Sequence, residues 1–323
     1  MNYPTIEKAL SGASKAKPHK APRFSRRRLR ENIKGYLFVL PWIVSLLVFT
    51  AYPMLASFYF SMTDYTILNP PNWVGLGNFE VMFTKDPLYW KSVYNSTYYA
   101  LLSVPLELSV ALGLALLLNQ KVRGIGVYRT VYYLPSLVPA VAATLLWMLL
   151  LDPRQGLVNE ALSMLGLPHL GWLRSAAWSK PGLILMSVWG GTGWIMLIFL
   201  AALKEIPSTF YEAAMIDGAN AWQRLRSVTL PLLTPAIFFN LVMGVIGSFQ
   251  VFASAYVAGG TGSAGPLNSL LMYMLLLYRY GFRYFNMGHA CAMALVLFLV
   301  LVFITMALVK SSGRWVYYET GQR

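Results

Sequence analysis

Charge is scarce in this sequence. Of its 323 residues only 12% are Asp, Glu, Lys or Arg, and 57% are hydrophobic. An ordinary soluble domain carries about 25% charged residues, so a water-facing globule is excluded. Cysteine is nearly absent: Cys291 stands alone in an apolar run. An internal disulfide and a C-x-x-C metal site are excluded with it. His19, His169 and His289 are scattered, so no zinc cluster is expected. No G-x-x-x-x-G-K-[ST] phosphate loop occurs, so if ATP drives this protein, another chain binds it. Clustered acids and a nucleophile with a base are also missing, which argues against a membrane-embedded enzyme. Glu107 is the one carboxylate deep in an apolar run. A proton relay or cation site would need a second intramembrane acid or base, and there is none. An acid hydrogen-bonded between helices, reaching Ser103 one turn earlier, is the better reading.

What is present is a series of apolar runs approaching the roughly 20 residues that cross a bilayer. The pattern predicts an all-α integral membrane protein with six spans, at about 36–60, 92–118, 131–151, 181–203, 232–257 and 287–309. Pro41 and Pro53 predict a kink or early end in the first. The net charge of +14 could suggest nucleic acid, but its placement does not. Much of it precedes the first span, in a basic and disordered tail over 1–34, and Lys121, Arg123, Arg129, Lys204, Arg224, Arg226 and Lys310 fall in alternate loops. The positive-inside rule then puts both termini in the cytoplasm, around a permease domain over 35–310 and a tail over 311–323. Anionic lipid is the partner such a tail could meet, and nucleic acid is not expected. No cleavage site follows the first apolar run, so no signal peptide is expected. Asn95-Ser96-Thr97 matches a glycosylation sequon by accident, since it abuts a span. Short helices are expected at 159–165 and 267–278 in the outer loops. Trp73, Trp90, Trp172 and Trp178 sit near span ends, as interfacial anchors do.

Between the fourth and fifth runs lies a polar island holding Lys204, Glu205, Glu212, Asp217, Arg224 and Arg226. Charges of this density stay out of the bilayer core. The island still looks folded. Thr209 and Glu212 fit a capping box, and Glu212-Ala213-Ala214-Met215 favours helix. Gly218 stands where a helix would end in a left-handed residue. Asn220 can cap a second short helix, interrupted at Pro231. Physics alone leaves an amphipathic helix lying on the membrane as good a reading as one docked on a partner.

The motif decides between them. Glu212-Ala213-Ala214, Asp217-Gly218-Ala219 and Leu230-Pro231 stand in the order and spacing of the cytoplasmic signature of ABC importer permeases, and the chain resembles that family. Tyr128-Arg129, Leu134-Pro135, Val138-Pro139, Gly247-Ser248-Phe249-Gln250-Val251-Phe252 and Tyr256-Val257 are similar to its carbohydrate branch, the maltose-type permeases. The resemblance runs from about residue 36 to the last apolar run. It implies that the Glu212 helix is a coupling helix seated in a groove of an ATPase. It also implies a second permease subunit of a different chain, two ATP-binding subunits that hold ATP and Mg, an external substrate-binding protein, and a prokaryotic inner membrane. The chain itself would carry no cofactor and perform no covalent chemistry. A sugar or glycoside is the implied cargo; a non-sugar solute such as glycerol phosphate remains an alternative. A self-sufficient secondary transporter would show inverted repeats and a paired-charge ion site, and neither is found.

A sugar pathway needs hydrogen-bonding groups beside flat apolar faces. Ser187, Gly191 and Trp194 share one face of the fourth span, within a glycine-dense run that suggests loosened helix or close packing. Asn240, Gly244, Gly247 and Ser248 cluster in the fifth, with Gln250 beside them. Pro135-Ser136 and Pro139 break the third. Small residues at such spacing fit helix packing better than a pathway when taken alone. The resemblance turns the reading, placing sugar contacts on Ser136, Gly191, Trp194, Gly244, Gly247 and Ser248.

Overall fold

Proline, and the backbone groups it leaves unpaired, decides how these apolar runs become helices. The computed structural model describes residues 26–120, 122–260 and 263–317. The expected disordered tail lies outside them up to residue 25; from Arg26 the chain is already helical. The structure separates into residues 1–56 and 57–323. In the first unit, α1 (Arg26–Leu46) runs through Pro41 without ending. It passes through a π-helical turn, Leu47–Ala51, in which the Tyr52 amide reaches back to the Leu47 carbonyl. Pro53, two residues on, has no amide to donate. The wider turn takes up the mismatch where a kink or stop was expected. Its apolar side chains from residue 36 onward are exposed, as a lipid-facing surface requires.

α2 (Tyr52–Ser61) contains the division at residue 56 and leads to a loop and, within the second unit, to α3 (Gly77–Glu80). Asp86 accepts from the Leu88 amide at 2.8 Å and, with Pro87 at the first helical position, starts α4 (Pro87–Leu118). Then come α5 (Ile125–Tyr133), α6 (Ala140–Leu150), α7 (Leu157–Met164), α8 (Ser179–Glu205), α9 (Ser208–Ile216), α10 (Ala221–Arg224), α11 (Leu230–Phe249), α12 (Ala253–Ala258), α13 (Tyr273–Tyr278) and α14 (Met287–Ser312). Among the described residues, five helical stretches are long and apolar enough to cross a membrane, and a bent pair makes the sixth. That pair lies where Pro135-Ser136 and Pro139 were expected to break the third span. The run over 131–151 is not one helix: Ile125–Leu137 and Ala140–Leu150 meet at 99°. Val138 is extended because a proline follows it, and Pro139 caps α6. Span five also ends early, at Phe249, with α12 resuming after a break.

α4 and α8 pack along their length. Near the end that leads to α9, Ala111 and Ala115, one turn apart on α4, are fully buried against Met196, Phe199 and Leu233. Small side chains there let large ones enter. At the other end the segment 264–276 folds back into the bundle, and Leu270, Leu271, Leu275 and Leu276 have no exposed surface. α4 supplies its polar anchors: Asn95 donates to the carbonyls of Asn268 and Leu271, and Ser96 accepts from the Tyr273 amide. The sequon asparagine is therefore an interior strut. Trp172, expected as an interfacial anchor, is buried and donates to Asn159 Oδ1 at 2.8 Å. Its indole N–H found a partner inside, which an interfacial position would not require.

Candidate functional site

The break between α5 and α6 opens a cavity of about 300 Å³ between α4, α8, the 3-10 turn Leu134–Leu137 and the start of the segment after α11. Clefts that hold small ligands run from about 300 to 1,000 Å³. Its wall carries Tyr99, Glu107, Ser136, Thr144, Ser187 and Ser254, with the bare backbone of Gly190 and Gly191. Three of these hydroxyls are committed to their own chain: Ser136 donates to the Tyr133 carbonyl, Thr144 to Ala140 and Ser187 to Ile184, each at 2.7–2.8 Å. Their lone pairs remain to accept hydrogen bonds from a solute.

Glu107 reaches across from α4 to α8. Its carboxyl lies beside Gly191, across from its own helix, where Ser103 one turn earlier was the expected partner. A Cβ on Gly191 would stand 3.2 Å from Glu107 Oε2, so glycine lets the carboxyl lie on the α8 backbone. Among the described residues no basic side chain faces Glu107. The glycine-dense run of α8 remains regular helix, and its glycines serve close packing: a Cβ on Gly193 would come 2.7 Å from the Tyr132 carbonyl oxygen.

The structure brings Ser136 and Gly191 together in the cavity wall, but not the other expected pathway residues. Trp194 is 59% exposed and points elsewhere. Asn240 is buried and donates to the Ala236 carbonyl, and Ser248 to Val245. Gly244 packs against Val104, whose Cγ1 would lie 3.1 Å from an added Cβ. Gly247 and Gln250 are exposed at the end of α11. Tyr99, Thr144 and Ser254 were missed in the sequence, where lone hydroxyls inside apolar runs look like packing residues.

At the far end of α8 the polar island folds by local rules. Pro207 sits at the N-cap of α9 and no side chain caps it. The expected Thr209–Glu212 capping box is absent because the helix starts at Ser208, which puts Thr209 inside the first turn. The other end closes fully. Gly218 has φ +78°, its amide donates to the Met215 carbonyl, and the Ala219 amide reaches Ala214 at 2.9 Å. This is a complete Schellman closure. Asn220 and Gln223 then cap α10 reciprocally. A π-helical turn, Leu225–Thr229, carries the chain into α11, so Leu230-Pro231 opens that helix instead of interrupting it. Tyr211 OH and Thr229 Oγ1, 3.1 Å apart, tie α9 to the base of α11. α9 buries none of its residues: Glu212, Ala213 and Asp217 face outward, and Ile216 is 87% exposed beside exposed Phe210 and Met215. α9 thus presents an uncovered apolar edge between charged residues.

Comparison with known proteins gives the family. The family model of the "Binding-protein-dependent transport system inner membrane component" matches residues 108–316. The probable ABC transporter permease protein YesP of Bacillus subtilis (strain 168) is 44% identical over 305 residues, 93% of this chain and 97% of that protein. The trehalose/maltose transport system permease protein MalF of Thermococcus litoralis is 32% identical over 291 residues, 88% of this chain and 96% of that one. A chain of a bacterial alginate ABC transporter, solved with an alginate-loaded periplasmic protein, has the same fold, with a TM-score of 0.78 at 24% identity over 89% of this chain and 96% of its own. The chain belongs to the family of binding-protein-dependent transport system inner membrane components, the permeases of ABC transporters.

Proposed function

We propose that this chain is the permease subunit that carries a sugar or glycoside through the membrane in an ATP-driven importer. The observation that carries the reading is the pairing of two features on one helix. α8 bears Ser187 and Gly191 in the cavity wall, and its far end leads into the outward-facing α9. A movement imposed on α9 is thereby delivered to the cavity. In this reading Glu212, Ala213, Ala214, Asp217, Gly218 and Ala219 form the surface that an ATPase subunit grips, and Leu230-Pro231 anchors it to α11. ATP and Mg belong to two such ATPase subunits. Their closure draws the coupling helices together and shifts the permeases between inward-facing and outward-facing states, a bistable element biased by a ligand at a distance.

The cavity supports a hydroxylated cargo: it offers acceptor hydroxyls and one carboxyl beside aromatic and aliphatic surface. The trehalose/maltose permease among the relatives favours the same class. Trp194, Gly247 and Gln250, exposed on this chain, suit a pathway completed by a second, different permease, with Asn240, Gly244 and Ser248 supporting them from within. An external binding protein delivers the cargo, and both termini and α9 lie in the cytoplasm. Co-purification with the products of neighbouring genes, followed by ATPase assays with a panel of sugars, tests the reading. A co-purifying ATPase stimulated by a sugar supports it. An assembled complex that no sugar stimulates overturns the choice of cargo.

A further inference from the structure

At the end of the bundle opposite α9, a lysine is buried with no acid beside it. Lys180, in the first turn of α8, is only 9% exposed. Its Nζ lies 5.5 Å from the centre of the Tyr94 ring, 5.3 Å from that of Tyr98, and 3.4 Å from Asn95 Oδ1. Asn95 is held rigidly, because its Nδ2 is committed to the carbonyls of Asn268 and Leu271. Among the described residues no carboxylate forms an ion pair with Lys180; Lys91, exposed on α4, is the charge on the helix face that meets it. Lys91, Tyr94 and Tyr98 recur at helical spacing along one face of α4.

This arrangement is costly for a purely structural lysine. A buried ammonium normally acquires a carboxylate, and two cation–π contacts replace only part of the lost hydration. Three N–H donors meet one protein acceptor, at a long distance. A second positive charge adds to the cost. The set becomes favourable once an anion arrives: the desolvated ammonium of Lys180 gains a partner, Lys91 adds positive potential from the α4 face that carries Tyr94 and Tyr98, and the amide of Asn95 fixes the direction of the bond. Tyr94 is 58% exposed, so the site is open on its side, and its ring offers a face on which the C–H surface of a sugar ring can stack.

We infer that Lys180, Lys91, Tyr94 and Tyr98 form a recognition site for a carboxylated saccharide, one whose rings are uronates, at the mouth through which cargo enters. The inference rests on the reading of this chain as a saccharide permease and narrows its substrate class. Lys180 forms the charge-assisted hydrogen bond to the carboxylate, Lys91 adds long-range attraction, and the tyrosines hold the ring.

The test is uptake by cells carrying the complete transporter, with two probes of equal length. One is a uronate trisaccharide, and the other is the same trisaccharide with its carboxyl groups reduced to hydroxymethyl groups. Comparing each variant with the wild type cancels any preference of the binding protein. Lys180→Met should lower the ratio of acidic to neutral uptake about tenfold, the loss of one charge-assisted hydrogen bond. Lys180→Arg should restore most of that ratio. The exposed Lys91→Met should lower it less, and the loss should shrink as salt is raised. Equal loss of both probes in Lys180→Met, with the ratio unmoved in Lys91→Met, would make the lysine a structural element and overturn the proposal. A wild type that carries the neutral trisaccharide and rejects the acidic one would overturn it while leaving the saccharide reading intact. A wild type that carries neither would remove the saccharide reading first.

Discussion

Glu107 on α4 lies against Gly191 on α8, so close that a Cβ at 191 would stand 3.2 Å from the carboxyl Oε2. The contact joins the two helices whose packing frames the cavity, and it sets the carboxyl in the same wall as Ser187. Gly191→Ala should displace the carboxyl by a few tenths of an ångström without preventing assembly. Overpacking of this kind costs about 1–3 kcal/mol. We expect uptake to fall roughly tenfold at an unchanged level of complex, which uptake and immunoblotting of the same membranes will show. Glu107→Gln keeps the shape and should keep assembly, so any loss of uptake there reports the carboxyl itself.

Two neighbouring glycines should behave in opposite ways. A Cβ on Gly193 would meet the Tyr132 carbonyl at 2.7 Å and the Tyr133 Cα at 3.0 Å, both backbone atoms that cannot turn aside. A Cβ on Gly190 would meet nothing within 4 Å. Gly193→Ala should lower the thermal midpoint of the detergent-solubilised complex by several degrees, while Gly190→Ala should match the wild type or exceed it slightly through helix propensity. Thermal unfolding followed by size-exclusion chromatography separates the cases, and equal behaviour would contradict the packing described here.

Span placement was legible because bilayer thickness writes itself into the length of apolar runs. The island was legible for a different reason: Gly218, Asn220 and Gln223 close their turns with partners a few residues away. What the sequence hid depends on distant pairing. Pro135 and Pro139 announced irregularity, but not that the helices beside them would meet at 99°. Glu107 lies against Gly191 on another helix, where Ser103 on its own was expected, and helical periodicity carries no register between helices. The Thr209–Glu212 capping box failed because Pro207 moved the helix start by two residues. Residues 267–278 read as a short helix in an outer loop, yet Leu270, Leu271, Leu275 and Leu276 are among the most deeply buried side chains of the described residues.

The proposed sidedness rests on the basic residues of alternate loops and is open to test. Cysteine placed at the exposed Asn220 should react with an impermeant maleimide only after cells are opened, and cysteine at Ser311 should do the same. Labelling of Asn220→Cys in intact cells would put α9 outside and remove it from any ATPase.

The most direct measurement concerns Gly218. Its φ of +78° falls where a side chain is strained, and open space surrounds it. Gly218→Val therefore adds a backbone cost of about 1–2 kcal/mol with no clash, and Gly218→Asn, which tolerates the left-handed region, adds less. Glu212→Ala removes a carboxylate from the outward surface of α9 without touching any span. ATPase retention by pull-down and sugar uptake are to be measured in the same membranes for all three. The account predicts normal insertion throughout, with retention or uptake falling severalfold in Gly218→Val and Glu212→Ala and largely spared in Gly218→Asn. Wild-type retention together with wild-type uptake in both Gly218→Val and Glu212→Ala would contradict it.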